Sequence, residues 1–163
     1  MSLIGMDMGS SSVKAAAYDE NGRFLCLTKR DITPLHPSPG LWEQDPEQVW
    51  HAASEVLKEL AHTEFLKQDP PKALSISASG RENFPADAKG RPLYNNIMGG
   101  DLRGAEYEAA KQGVTPPEDW ELSCGHMRER MDPVFRLQWW KDHHFTIIEQ
   151  ASLYPDWHGF LTL

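Results

Sequence analysis

Three short stretches hold the residue types that could do chemistry. The first is Asp7-Met-Gly-Ser-Ser-Ser-Val-Lys14, where a carboxylate precedes Gly9, then Ser10, Ser11 and Ser12, then a cation. A turn of glycine and serine can aim several backbone N–H groups and hydroxyls into one concavity, which suits a phosphate. Asp7 is placed to hold a hydrated magnesium ion, a hard cation that favours oxygen and keeps its waters. The second stretch is Ser79-Gly-Arg-Glu-Asn83. Arg81 supplies a rigid fork of donors and Glu82 an acceptor, a pair able to grip neighbouring hydroxyls of a polyol. The third, Gly99-Gly-Asp-Leu-Arg103, repeats the theme with Asp101 and Arg103 behind two glycines that allow close approach.

Each stretch also has an ordinary reading. A hairpin turn of Gly and Ser can be only a hairpin. Arg81 and Glu82 can be an exposed ion pair worth under ~1 kcal/mol. Asp101 can be the N-cap of the next helix. There is no GxxxxGK[ST] or GxGxxG pattern, so a phosphate bound here would sit on a hairpin and not at a helix N-terminus. No GxSxG elbow is present, and the seven histidines lack metal-ligand spacing, so no structural metal is expected.

The elements that must carry these residues follow from periodicity. Residues 2–8, 12–19 and 23–32 read as three strands of an antiparallel meander, with Gly22 in the second turn. Residues 33–45, with three prolines and a glycine, read as an extended loop and not an element. Asp45-Pro46-Glu47-Gln48 is a helix start in which Asp45 caps and Gln48 completes a capping box. Val49, Trp50, Ala53, Val56, Leu57, Leu60 and Ala61 then recur at helical spacing. Lys72–Ala78 reads as a strand added to the first sheet, so Ser79–Asn83 lies at a strand's carboxyl end, where open α/β folds bind ligands.

Further on, residues 84–94 read as a small hairpin turning at Lys89-Gly90, and 95–101 as a short strand. Residues 102–112 suit a helix with a solvated charged face, Asp132-Pro133 starts another, and 145–150 a third. Ala151–Tyr154 is expected to be strand, and Asp156 to cap a helix holding Trp157, Phe160 and Leu161. The chain stops inside that apolar run without a capping signal, which predicts an incomplete domain.

With 163 residues there is enough chain for one domain with a sizeable core. A net charge of −8 argues against a nucleic-acid partner, which would want a basic stripe, but not against a small phosphorylated ligand. Cys26 and Cys124 are far apart, no secretory leader is visible, and no run reaches the ~20 apolar residues of a membrane span. The expectation is a cytoplasmic protein with reduced thiols and no membrane partner.

The order of these segments resembles the FGGY carbohydrate kinases, the group containing glycerol kinase and xylulokinase. Asp7–Lys14 is similar to that family's phosphate hairpin, and Leu41-Trp-Glu-Gln-Asp-Pro46 to its W-x-E-x-D-P segment. Gly80-Arg-Glu82 resembles the glycerol kinase segment whose Arg and Glu hold substrate hydroxyls, and Gly99–Arg103 the W-x-D-x-R segment. Gly99 stands where an aromatic residue usually packs on the substrate.

The resemblance implies an α/β fold of the actin-like ATPase (ribonuclease H-like) type, a mixed sheet with flanking helices, here incomplete. Residues 1–163 would be the amino-terminal portion of the first, sugar-binding domain, with the second, nucleotide-binding domain absent. It further implies ATP and Mg2+ as cofactors and phosphorylation of a sugar or polyol hydroxyl in the intact protein. Asp7 would orient magnesium waters; Gly9, Ser10, Ser11, Ser12 and Lys14 would contact phosphate. Arg81, Glu82, Asp101 and Arg103 would orient the acceptor. The general-base Asp would lie outside this chain, so the chain alone would be inactive. An exposed half-domain face would favour a homodimer. Two other readings stay open: another actin-like ATPase, which would not need Arg81-Glu82 and Asp101 at strand ends, and a non-catalytic module binding a sugar or partner.

Overall fold

Alternation along the first strand decides what faces the core. The computed structural model describes residues 1–80, 82–110 and 133–163. In β1 (Ser2–Met8), Ser2, Ile4, Met6 and Met8 are buried while Leu3, Gly5 and Asp7 face out. β2 (Ser12–Asp19) and β3 (Phe24–Asp31) complete the expected antiparallel meander. Val13, Ala15 and Ala17 of β2 point inward and Lys14, Ala16 and Tyr18 outward, so the period of two sends Asp7 and Lys14 to the same face.

A long helix covers β2 and β3 on the inner face. α1 (Pro46–Ala61) starts where Asp45 accepts a hydrogen bond from the Glu47 N–H, with proline in the first turn. Its buried stripe is Val49, Ala52, Ala53, Val56 and Leu60. The alanines here, with Ala15 and Ala17 below, leave room for the helix against β2 and β3. Full burial of Val49, Val56 or Leu60 is worth about 1.5–3 kcal/mol each. Trp50, expected on this stripe, is instead 48% exposed, edge-on to Phe160. One residue on from Val49 turns about 100°, off the core face. The capping box is also not made: Gln48 Oε1 accepts from the Thr33 N–H, 3.1 Å away, and so holds the incoming loop.

After α2 (Glu64–Gln68) the chain returns as β5 (Pro71–Ala78), which joins the sheet parallel to β1 in the order β3-β2-β1-β5. Because β1 and β5 run the same way, with Met8 opposite Ala78, their carboxyl ends lie at one edge.

The stretch expected to be only loop contains β4 (Glu43–Gln44), which pairs antiparallel with β6 (Asn96–Ile97). Residues 84–94 fold back as expected, closed by Asp87 N–H to Arg91 O and Leu93 N–H to Pro85 O, with Gly90 at φ +77°. Ala86 also bridges to Leu153, which is all the strand structure that residues 151–154 form.

Among the described residues, α3 (Ala105–Ala110), α4 (Pro133–His143) and α5 (Phe145–Gln150) follow. Asp156 then caps α6 (Trp157–Thr162) through the Gly159 N–H. Trp157 and Phe160 of α6 pack against Phe84, tilted and edge-on respectively, and Trp140 of α4 is fully buried.

Gly104, between the third chemical stretch and α3, has φ +90° and lies against Phe135, where an added Cβ would sit 3.3 Å from the Phe135 side chain and 3.4 Å from its backbone. Gly104→Ala combines a left-handed backbone with that crowding, so it is expected to cost about 1–3 kcal/mol in urea unfolding. Unchanged stability would mean that α4 does not pack on this turn.

Candidate functional site

The β1–β2 turn is built to leave donors free. Gly9 N–H closes it by bonding Ser12 O at 2.9 Å, and Ile32 N–H caps Ser11 O at 2.8 Å. The carbonyls of Gly9 and Ser10 both accept from Gln44 Nε2, at 3.4 and 3.0 Å. Every described peptide is trans, so the N–H of each unit points away from its C=O. The Ser10 and Ser11 N–H groups therefore point away from buried Gln44 and find no acceptor among the described residues. Both serines are exposed. Two such N–H groups with serine hydroxyls beside them form a concavity of the kind that binds anions.

Asp7 and Lys14 sit on the open face as a cross-strand pair, with Lys14 Nζ 3.7 Å from Asp7 Oδ2. Asp7's side chain is 55% exposed. They line an open groove of about 350 Å³ that runs over Tyr18, Leu27, Ser75 and Ser77.

Glu82 follows β5 at the same sheet edge, and Arg81 lies outside the described residues. Glu82 is buried, and among the described residues its carboxylate takes three donors: Asn96 Nδ2 at 2.8 Å and Trp157 Nε1 at 3.1 Å on Oε2, and the Gly99 N–H at 2.9 Å on Oε1. A carboxylate has about four acceptor positions, so among the described residues one on Oε1 is left open. Asn96 Nδ2 also donates to Gln44 Oε1 at 3.2 Å. A continuous chain of hydrogen bonds thus runs from Glu82 through Asn96 and Gln44 to the Gly9–Ser10 carbonyls.

Asp101 and Arg103 come together with a residue the sequence reading did not single out, Glu43. Arg103 donates Nε and Nη2 to the two oxygens of Asp101 at 2.8 and 2.6 Å, and Nη1 to Glu43 Oε1 at 2.5 Å. The N–H groups of Arg103 and Trp42 add 2.7 and 2.6 Å bonds to Asp101. All of Asp101's roughly four acceptor positions are therefore taken from within the chain. The side chains of Asp101, Arg103 and Glu43 are 0%, 5% and 6% exposed. The other oxygen of Glu43 accepts from Asn95 Nδ2 at 2.7 Å, and the guanidinium lies 5.1 Å from the Trp139 ring centre.

Burial is the largest single influence on Asp101 and would raise its pKa. The Arg103 guanidinium and the two N–H donors together outweigh it and hold the carboxyl below its ordinary range. Burial likewise opposes the charge on Arg103, but the two carboxylates outweigh it and raise its pKa. Asp101 does not cap α3: that helix starts four residues later, at Ala105, and Asp101 instead closes a turn onto the Arg103 N–H.

Comparison with known proteins turns this arrangement into a lineage. Residues 2–163 match the profile of the FGGY family of carbohydrate kinases, N-terminal domain. The chain belongs to the FGGY family of carbohydrate kinases. Among curated FGGY relatives, the probable L-xylulose kinase of Haemophilus influenzae is 28% identical over 97% of this chain and 33% of its own length. Among solved FGGY structures, xylulose kinase from Rhodospirillum rubrum superposes with a TM-score of 0.91 at 22% identity, covering 99% of this chain and 33% of that one. Plasmodium falciparum glycerol kinase, solved with ADP, gives 0.86 at 19% identity over 98% and 33%. The fold is the actin-like one expected, with a mixed sheet. The chain spans about a third of the length of the FGGY relatives it matches. Among the described residues, no helix is long and apolar enough to cross a membrane.

The sequence reading missed Glu43, Gln44, Asn96 and Trp157 as parts of this region. The first two lie inside the W-x-E-x-D-P likeness, and that was their one signal. Asn96 had none beyond being polar just ahead of Ile97-Met98, and Trp157 read as core.

Proposed function

We propose that a protein containing these residues transfers the γ-phosphoryl group of ATP to a hydroxyl of a small sugar or polyol, in the cytoplasm. Residues 1–163 would supply the amino-terminal portion of its sugar-binding domain. The observation that carries this reading is the convergence of two strand ends. The Gly9–Ser12 turn follows β1 and Gly80 follows β5, so both leave neighbouring parallel strands at one edge of the sheet, and Glu82 comes two residues after Gly80. Phosphate donor and hydroxyl acceptor need that adjacency, because phosphoryl transfer is mostly positioning and charge neutralisation.

In this scheme the Ser10 and Ser11 N–H groups, the serine hydroxyls and Lys14 receive the phosphate oxygens. Gly9 serves by letting the turn close. The Asp7 carboxylate suits a magnesium ion that keeps most of its waters, since it is largely exposed and Lys14 is its one charged neighbour among the described residues. When bound, that ion would neutralise charge developing on the phosphate oxygens. Glu82, oriented by these donors, would offer the Oε1 position left open among the described residues to a sugar hydroxyl, and Arg81 would help to orient the acceptor. Asp101 and Arg103 would act on the acceptor indirectly, by holding the Gly99–Gly100 segment against Trp42 and Glu43. The base that takes the hydroxyl proton would come from outside residues 1–163.

The test is a screen of the gene product containing this chain against sugars and polyols with MgATP, following ADP release. At least one acceptor should stimulate release well above the rate without sugar; no stimulation by any would end the proposal. With the best acceptor, Glu82→Gln should raise the sugar KM about tenfold or more, the effect of weakening a charged hydrogen bond. An unchanged KM would remove Glu82 from the acceptor site.

A further inference from the structure

The hydrogen-bond chain beneath the turn has a direction, and that direction has a consequence for nucleotide binding. Glu82 as a carboxylate only accepts, so the amide nitrogen of Asn96 must face it. The same nitrogen reaches Gln44 Oε1, which fixes Gln44's oxygen on that side. Gln44's nitrogen must then face the Gly9 and Ser10 carbonyls, which also only accept. Neither amide can flip without setting oxygen against oxygen in a buried site, since Gln44 is 1% exposed and Asn96 fully buried.

We propose that Gln44 is the positioning residue for the phosphate-binding turn: by holding the Gly9 and Ser10 carbonyls inward it keeps the Ser10 and Ser11 N–H groups turned out toward the nucleotide. This rests on the kinase reading above and adds to it a residue that touches neither substrate. The physical need is specific. A peptide unit holds its N–H outward most firmly when its C=O is satisfied on the other side, and an inward-facing carbonyl left without a donor would favour rotation of the unit. Gln44 supplies that donor for two successive units from a two-residue strand that is itself anchored by pairing with β6. Asn96 sets Gln44's orientation, so the alignment of the phosphate turn depends on the strand that holds the acceptor carboxylate.

Gln44→Met keeps the length of the side chain and removes the donor; Gln44→Glu keeps the acceptor facing Asn96 and puts oxygen against the carbonyls. In the gene product containing this chain, each should raise the KM for MgATP about tenfold or more, the loss expected when N–H donors to a charged group are misaligned. Sugar affinity, measured by calorimetry without nucleotide, should stay within about twofold, because Glu82 keeps the Gly99 and Trp157 donors that orient it. An unchanged MgATP KM, or an equal rise in both constants, overturns the proposal, the latter being what general loosening would produce. A measurement on the unsubstituted protein guards against variants that do not fold. Saturating MgATP should slow amide hydrogen exchange in peptides spanning residues 9–12, and nucleotide binding without such protection would also overturn it. If the unsubstituted protein binds no MgATP, the kinase reading fails and this inference goes with it. If it binds MgATP and the Gln44 variants bind it equally well, the inference alone fails.

Discussion

Replacing Asp7 by alanine in the gene product containing this chain should lower kcat by roughly a thousandfold or more while sugar affinity stays within about threefold. The expectation comes from where the carboxylate stands. Strand alternation puts it on the open face, more than half exposed, with Lys14 across the strand pair at 3.7 Å. An exposed pair of this kind is worth about 0–1 kcal/mol to stability, so the variant should fold. In the proposed scheme what is lost is the oxygen ligand for a hydrated cation beside the serine turn, and with it the charge neutralisation that would matter most as the phosphoryl group moves. In the same scheme acceptor binding would depend on Glu82, which is held by Asn96, Gly99 and Trp157 and not by Asp7. Turnover by coupled ADP release and sugar binding by calorimetry separate the two effects. Loss of sugar affinity in step with kcat, or a kcat near that of the parent, would take Asp7 out of the assigned role.

Arg103→Met should be among the most destabilising single changes in the described residues, at about 3–5 kcal/mol in urea unfolding, because it leaves two buried carboxylates without their cation. Asp101 and Glu43 are essentially removed from water, and Arg103 is the cation bonded to both. Arg103→Lys should recover part of the loss, since an ammonium restores charge but not the paired bonds to Asp101.

The pH dependence has a definite sign. Asp101's carboxyl is held below its ordinary range in the folded chain, so between that value and the unfolded value of about 4 the unfolded chain binds more protons. The stabilisation is complete above about pH 4 and disappears as pH falls through the depressed native value. The stability gap between parent and Arg103→Met should therefore narrow below about pH 4. A gap that stays constant down to pH 2 would mean the guanidinium does not carry the effect.

Much of the scaffold could be read from local pattern. Alternation from Ser2 to Asp19 gives two strands and the face of each side chain, and Gly9, Ser10 and Ser11 fall in the turn between them. Asp45-Pro46 marks the start of α1 to the residue. Local reading failed where elements are too short to have a period. β4 and β6 are two residues each, and their pairing joins positions more than fifty residues apart. Gln48 looked like half of a capping box because the pattern satisfies it locally, but the Thr33 N–H competes and wins. Residues 151–154 looked like strand, yet among the described residues they form a single bridge, Leu153 to Ala86.

The candidate site divides the same way. That Asp7, Lys14 and the serine turn share one end of a hairpin is a matter of chain order and strand period, so it was already settled in the order of residues 7–14. Whether a charged side chain reaches a ligand or another part of the protein is settled by what the fold brings up against it. Asp101 and Arg103 look like ligand-gripping residues until Glu43, sixty positions away from Arg103, closes on the guanidinium. Gln44 and Asn96 carry no chemical signal in line, and acquire one because a pair of two-residue strands sets them between the turn and Glu82. Desolvation makes the difference: once these groups leave water, each must find a specific partner, and only the packed chain supplies one.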